Sequence, residues 1–183
     1  SPWLQGDQGW SRKAACDGCA SYYYSMPRLL MRAEVLCNNQ RETLRGVGWM
    51  DHEFMTNSLA DTQVGWDWMG LMLKDGRNLT VYRLRRDDGS IDFAAGSLRS
   101  QHGERSLRAD EFSMKPLKTW KSPSGHVSYP ISWRIEVELV ARVPDSELGT
   151  HTQARYWEGP VASEGEAVLG YVEMTGYNGR IRF

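Results

Sequence analysis

The chain has 183 residues, a quarter of them charged, with a formal net charge of -1. That length can bury a real core. The even charge lacks the basic footprint a phosphate backbone demands, which argues against nucleic acid. No run approaches the roughly 18 apolar residues that cross a bilayer as a helix, so any membrane contact would be peripheral.

Early in the chain, Cys16 and Cys19 form a Cys-Asp-Gly-Cys spacing shared by redox pairs and by half zinc sites. No second cysteine pair or histidine cluster completes a metal set. A loop disulfide or free thiols are therefore expected, with no metal and no cofactor. Extended segments are predicted over 21–26, 31–37, 43–54, 64–73, 78–86, 91–99, 128–141, 155–163 and 167–175, most of them rich in β-branched or aromatic residues. The plainest is 128–141, where Ile131, Trp133, Ile135, Val137 and Leu139 alternate with Ser132, Arg134, Glu136 and Glu138. Asp75-Gly76, Asp88-Gly89, His102-Gly103 and Ser124-Gly125 supply the positive φ angles of tight hairpins. Residues 144–153 could hold a short helical turn; little other helix is expected.

These strands make an all-β, antiparallel meander. One of roughly eight to ten strands hides its edges most simply by closing into a barrel able to hold one small ligand. A two-sheet sandwich would show much the same pattern.

The densest group of unusual residues is Gly48 to Phe54 followed by Trp66-Asp67-Trp68. In extended backbone Trp49, Asp51 and Glu53 share one face, and Met50, His52 and Phe54 the other. Desolvation against aromatic walls would raise the pKa of Asp51 and make it a proton donor near neutral pH. The plainer reading is that such an aspartate accepts a hydrogen bond from an indole N–H or a backbone turn. Asp67 fits that reading, because it points away from Trp66 and Trp68. Tyr22 and Tyr24 share a face opposite Tyr23. Trp157 beside Glu158 and Tyr171 near Glu173 again put aromatics next to carboxylates on strands; these two glutamates could cap a barrel or bridge to Arg134 or Arg155.

The succession Gly-Asp-Gln-Gly-Trp-Ser (6–11), Tyr-Tyr-Tyr-Ser-Met-Pro-Arg (22–28), Gly-Trp-Met-Asp-His-Glu-Phe (48–54), Gly-Trp-Asp-Trp (65–68), Tyr-Trp-Glu-Gly (156–159) and Gly-Tyr-Val-Glu-Met-Thr-Gly-Tyr (170–177) resembles the AttH-type branch of the hydroxyneurosporene synthase, or carotenoid 1,2-hydratase, family. The resemblance spans almost the whole chain. It implies two lipocalin-like barrels in tandem, with residues 1–57 as closing strands of the first and 58–183 as the second. The partner implied for this chain is then an N-terminal half of the same protein.

In the hydratase branch, water is added across a terminal double bond of an acyclic carotenoid. The resemblance implies Asp51 as the acid, Trp49 and Tyr24 as aromatic wall and Tyr22 as a hydrogen-bond partner; Glu53, Trp66, Trp68, Trp157 and Tyr171 are the further candidates for ligand contact. The hydratases proper carry a Tyr-Leu-Asp version of Trp49-Met50-Asp51 and a His-x-Trp version of Tyr22 to Tyr24, so another terpenoid or polyketide is as good a substrate as a carotenoid. Relatives with the same double-barrel architecture resemble decalin-forming cyclases. The alternative is a carrier of a lipophilic ligand tied to ABC-type export. A bacterial periplasm or the cytoplasmic face of a membrane would suit either.

Overall fold

The computed structural model describes residues 1–56, 59–123, 127–135, 138–149 and 155–181. It is an all-β, lipocalin-like structure with one short 3₁₀ turn, Glu164–Glu166. Among the described residues no helix is long and apolar enough to cross a membrane.

Two sheets form. The smaller contains β1 (Trp3–Leu4), β2 (Trp10–Arg12), β3 (Ala20–Cys37) and β4 (Gln40–Phe54), with β1 and β2 on one edge of β3 and β4 on the other. β3 runs through Pro27, where two separate segments were expected. A register shift between Met26 and Leu29 takes up the irregularity and lets the strand continue.

The larger sheet contains β5 (Gly65–Leu73), β6 (Asn78–Arg85), β7 (Ile91–Ser100), β8 (Gly103–Arg108), β9 (Lys115–Lys121), β10 (Ser128–Arg134), β11 (Glu138–Ala141), β12 (Glu147–Leu148), β13 (Tyr156–Ala162) and β14 (Val168–Thr175). Its order is β8-β7-β6-β5-β14-β13-β11-β10-β9, with β12 on β13. Every neighbouring pair is antiparallel. The last strand, β14, pairs with the first, β5, over seven residues, so the meander returns to its start. The two ends of the path, β8 and β9, are consecutive in the chain, and the sheet curls around a single core.

Gly76, Gly89 and Gly103 take the positive φ angles their hairpins need; Ser124 and Gly125 lie outside the described residues. The alternating run 128–141 is not one strand. It folds back as a hairpin, with Trp133 opposite Leu139 and Arg134 opposite Glu138. No glycine, proline or asparagine marks the reversal, so the sequence pattern ran straight through it; Glu136 and Val137 lie outside the described residues. Part of the segment given to a helical turn, 147–148, instead pairs with β13.

The barrel interior is filled with side chains. Met69, Leu71, Val81, Tyr129, Trp133, Trp157, Val172 and Met174 are fully or nearly fully buried in one cluster. Burying a side chain of this size stabilises the fold by roughly 1.5–3 kcal/mol. Asp67 lies on the same inward face at 0% exposure, bridged to Arg83 Nε at 2.7 Å and Arg85 Nε at 3.2 Å, and accepting a hydrogen bond from Tyr177 at 2.9 Å.

Candidate functional site

From the sequence a ligand chamber is expected inside the barrel; among the described residues that interior is packed with side chains. The cavity lies between the outer face of the barrel and the small sheet. It holds about 140 Å³ and is lined by Lys13, Tyr23, Asp51, Glu53 and Met55 on one side and Trp66, Trp68, Tyr82, Leu84 and Glu173 on the other.

Strand parity explains the barrel wall. On β5, Asp67, Met69 and Leu71 point to the core, so Trp66 and Trp68 point out. Pairing places Leu84 beside Trp66, Tyr82 beside Trp68, and Glu173 on the other flank of Trp68. Gly70 is the next outward position. A Cβ there would stand 2.6 Å from the Trp68 ring and 2.9 Å from that of Trp49, so the absent side chain gives both indoles room.

On the small sheet the register sets Tyr23 opposite Glu53 and Ser25 opposite Asp51. Asp51 Oδ1 accepts from Ser25 Oγ and, at 2.9 Å, from Trp49 Nε1. By surface area Asp51 is exposed, and it lines the cavity. Protein nevertheless surrounds the carboxyl closely enough that desolvation raises its pKa, against the lowering effect of hydrogen bonds from Ser25, Trp49 and Tyr23. Trp49 meets Trp3 and Trp68 edge-on, with centroids 6.1 and 6.2 Å apart. Glu53 is tied to Lys13 Nζ at 2.5 Å, and the same ammonium lies 4.6 Å from the Tyr82 ring centre and 5.3 Å from that of Tyr23.

Tyr23 is 4% exposed and accepts a hydrogen bond from Trp68 Nε1 at 3.0 Å, joining the two walls. Burial first, then the charge of Asp51, raises its pKa well above the ordinary phenol value. Burial likewise pushes the Tyr82 phenol up to about 12. Glu173 accepts from Trp66 Nε1 at 2.8 Å. Desolvation, helped by the neighbouring charges of Glu158, Glu53 and Asp51, pushes it up to about 7, against the Trp66 hydrogen bond.

Of the residues marked in sequence, Asp51, Glu53, Trp66 and Trp68 meet in this cavity, and Trp49 touches Asp51 and Trp68 from its border. Tyr22 and Tyr24 do not. Tyr22 pairs with Phe54 and Tyr24 with His52, which puts both on the opposite face of the small sheet, Tyr22 being 61% exposed. Tyr24 shares a 3.1 Å hydrogen bond with His52 Nδ1. Trp157 belongs to the barrel core, its Nε1 donating to the Pro144 carbonyl at 2.7 Å. Tyr171 shares the outward face of β14 with Glu173 but lies outside the cavity, 39% exposed. Among the described residues no ion pair to Arg134 or Arg155 is seen for either glutamate: Glu173 holds an indole, and Glu158 sits directly across the ladder from Glu173, its pKa raised by desolvation.

Residues that sequence reasoning left out are Tyr23, Lys13 and Tyr82. The signal for Tyr23 was the small polar pair Ser21 and Ser25 on its own face, which leaves space beneath the opposing sheet. Among the described residues no group of three His, Cys, Asp or Glu side chains could hold a metal. Cys16 and Cys19 are joined in a disulfide, and Cys37 is free and exposed.

The AttH-like family model matches residues 1–177. The chain belongs to the AttH-like family. A solved structure described as AttH, from Nitrosomonas europaea, superposes on this AttH-like chain with a TM-score of 0.89 at 34% identity, covering 97% of this chain and 59% of its own. Kievitone hydratase from Nectria haematococca superposes with a TM-score of 0.71 at 15% identity, over 97% of this chain and 58% of its own, a likeness of fold. The AttH-like chain thus spans about three fifths of each. Among curated proteins none matches the sequence.

Proposed function

We propose that this AttH-like chain seats the apolar end of an isoprenoid or polyene between its two sheets and protonates a C=C bond there, hydrating or cyclising it. The observation that carries the reading is the placement of carboxyl groups with raised pKa, Asp51 among them, in a cavity walled by Trp66, Trp68, Tyr23 and Tyr82. Protonating an isolated alkene yields a tertiary carbocation, and electron-rich ring faces stabilise that charge as it develops. Drug-sized pockets run from about 300 to 1,000 Å³. The much smaller cavity suits one isoprene end, with the rest of a long ligand leaving through the open mouth. The hydratase name of one structural neighbour is consistent with this chemistry only as analogy of fold.

Organic extraction of the purified protein followed by mass spectrometry names the ligand class. With that ligand or its precursor as substrate, Asp51→Asn is expected to lower turnover about 10²- to 10⁴-fold. Full turnover in the variant overturns the assignment. A carrier tied to ABC-type export is the second reading, favoured by the two donors that already occupy Asp51 Oδ1. It requires ligand retention without product in both proteins.

The same reading assigns a partner. Among the described residues no strand pairs with the outer edge of β4, which is fifteen residues long. Unpaired edges of that length invite another strand. A preceding half of the protein would supply it, in keeping with the greater length of the Nitrosomonas chain.

A further inference from the structure

We infer that the cavity uses two carboxyl groups with divided roles: Glu173 gives the proton to the alkene, and Asp51 takes the proton of the attacking water. This deepens the function proposed above and rests on it.

The division follows from what surrounds each group. Asp51 Oδ1 accepts hydrogen bonds from Ser25 Oγ and Trp49 Nε1, contacts that favour the ionised form and offset part of the desolvation that raises its pKa, and Asp51 is the more exposed of the two groups. Glu173 has one donor, Trp66 Nε1, and among the described residues no cation pairs with it. Directly across the ladder stands Glu158, a like charge that disfavours ionisation. Lys13, the cation of this cavity, is committed to Glu53. Glu173 is therefore the carboxyl that keeps its proton near neutral pH, in line with the size of its pKa displacement. The two groups stand on opposite walls, β14 and β4, with the rings of Trp66 and Trp68 on the Glu173 side.

The chemistry balances. The π pair of the alkene takes the Glu173 proton to form a C–H bond, leaving a tertiary cation and a glutamate. Water forms the C–O bond and loses its second proton to the Asp51 carboxylate. Proton return from Asp51 to Glu173 through water at the mouth restores both groups, so the net change is alkene plus water to alcohol.

Geraniol in deuterated water separates the two roles. A cation that forms but is not captured returns to alkene by losing the original hydrogen of the deuterated carbon, or one from an adjacent methyl group, which leaves deuterium in the recovered or isomerised alkene. Glu173→Gln is expected to lower deuterium incorporation and hydration together by about 10²-fold or more, whereas Asp51→Asn lowers hydration by that factor and retains incorporation. Incorporation that survives in Glu173→Gln and vanishes in Asp51→Asn reverses the roles and overturns the inference, while the proposed function stands. Wild-type protein that neither exchanges nor hydrates geraniol counts against both readings for this substrate class.

Infrared difference spectra without substrate decide the protonation pattern separately. At about pH 6, wild type minus Glu173→Gln is expected to show a protonated-carboxyl C=O band that wild type minus Asp51→Asn lacks. The opposite pattern overturns the inference whatever the substrate.

Discussion

Replacing Glu173 by glutamine tests the electrostatics of the cavity through folding stability, with no substrate needed. The side chain titrates at about 7 in place of the ordinary 4.5, with desolvation as the main cause. Below the lower value it is protonated in folded and unfolded chains alike. Between the two the folded chain holds a proton that the unfolded chain has released, so stability falls as pH rises through this window. Above about 7 the penalty is complete. The displacement corresponds to roughly 3 kcal/mol, and water at the cavity mouth screens it toward roughly 1–3 kcal/mol. Glutamine keeps an acceptor for the Trp66 indole and carries no charge. Urea unfolding of both proteins is therefore expected to show nearly equal stability at about pH 4 and a variant more stable by roughly 1–3 kcal/mol at about pH 8. A difference that stays constant across that range would refute the claim that Glu173 is charged at a cost.

Four further outcomes follow from the fold. Asp67→Asn leaves Arg83 and Arg85 without their shared counter-charge under the barrel core and is expected to cost about 3–5 kcal/mol in denaturant unfolding. Trp157→Ala opens a void in the barrel core and is expected to cost a similar 3–5 kcal/mol. Trp66→Ala, on the outward face, is expected to cost clearly less and to act on ligand retention instead; equal losses for the two would contradict the placement of the cavity outside the barrel. Finally, the outer edge of β4, which pairs with no strand among the described residues, is expected to make this chain self-associate in sedimentation, and Val47→Lys, at an exposed position of that strand, to weaken the association.

The fold was legible where periodicity and turn chemistry agreed. Val64 to Leu73, Asn78 to Arg86 and Ile91 to Arg99 appear as strands within a residue or so of their expected limits, joined by the Asp-Gly turns. β8 and β9 were missed because Gly103–Arg108 and Lys115–Lys121 are polar and mostly exposed, so no apolar alternation marks them. The reversal between β10 and β11 was missed for the converse reason: alternation continues across a turn that lacks the usual turn residues.

The site was legible within single strands and illegible between them. Extended backbone fixes that Asp51 and Glu53 share a face and that Asp67 opposes Trp66 and Trp68, and both relations appear in the structure. Which face of β3 joins Asp51 depends on the hairpin register, and a shift of one residue exchanges the faces. Ser25 opposite Asp51 selects Tyr23, so Tyr22 and Tyr24 fall on the far side with His52 and Phe54. Glu173 carries a second lesson. Its proximity to Asp51 arises from two sheets meeting and joins residues 122 positions apart in sequence. With Trp133 and Trp157 packed in the barrel core, it is the outward indoles Trp66 and Trp68 that face the cavity. The small sheet that covers them brings the carboxyl groups any reaction there would use.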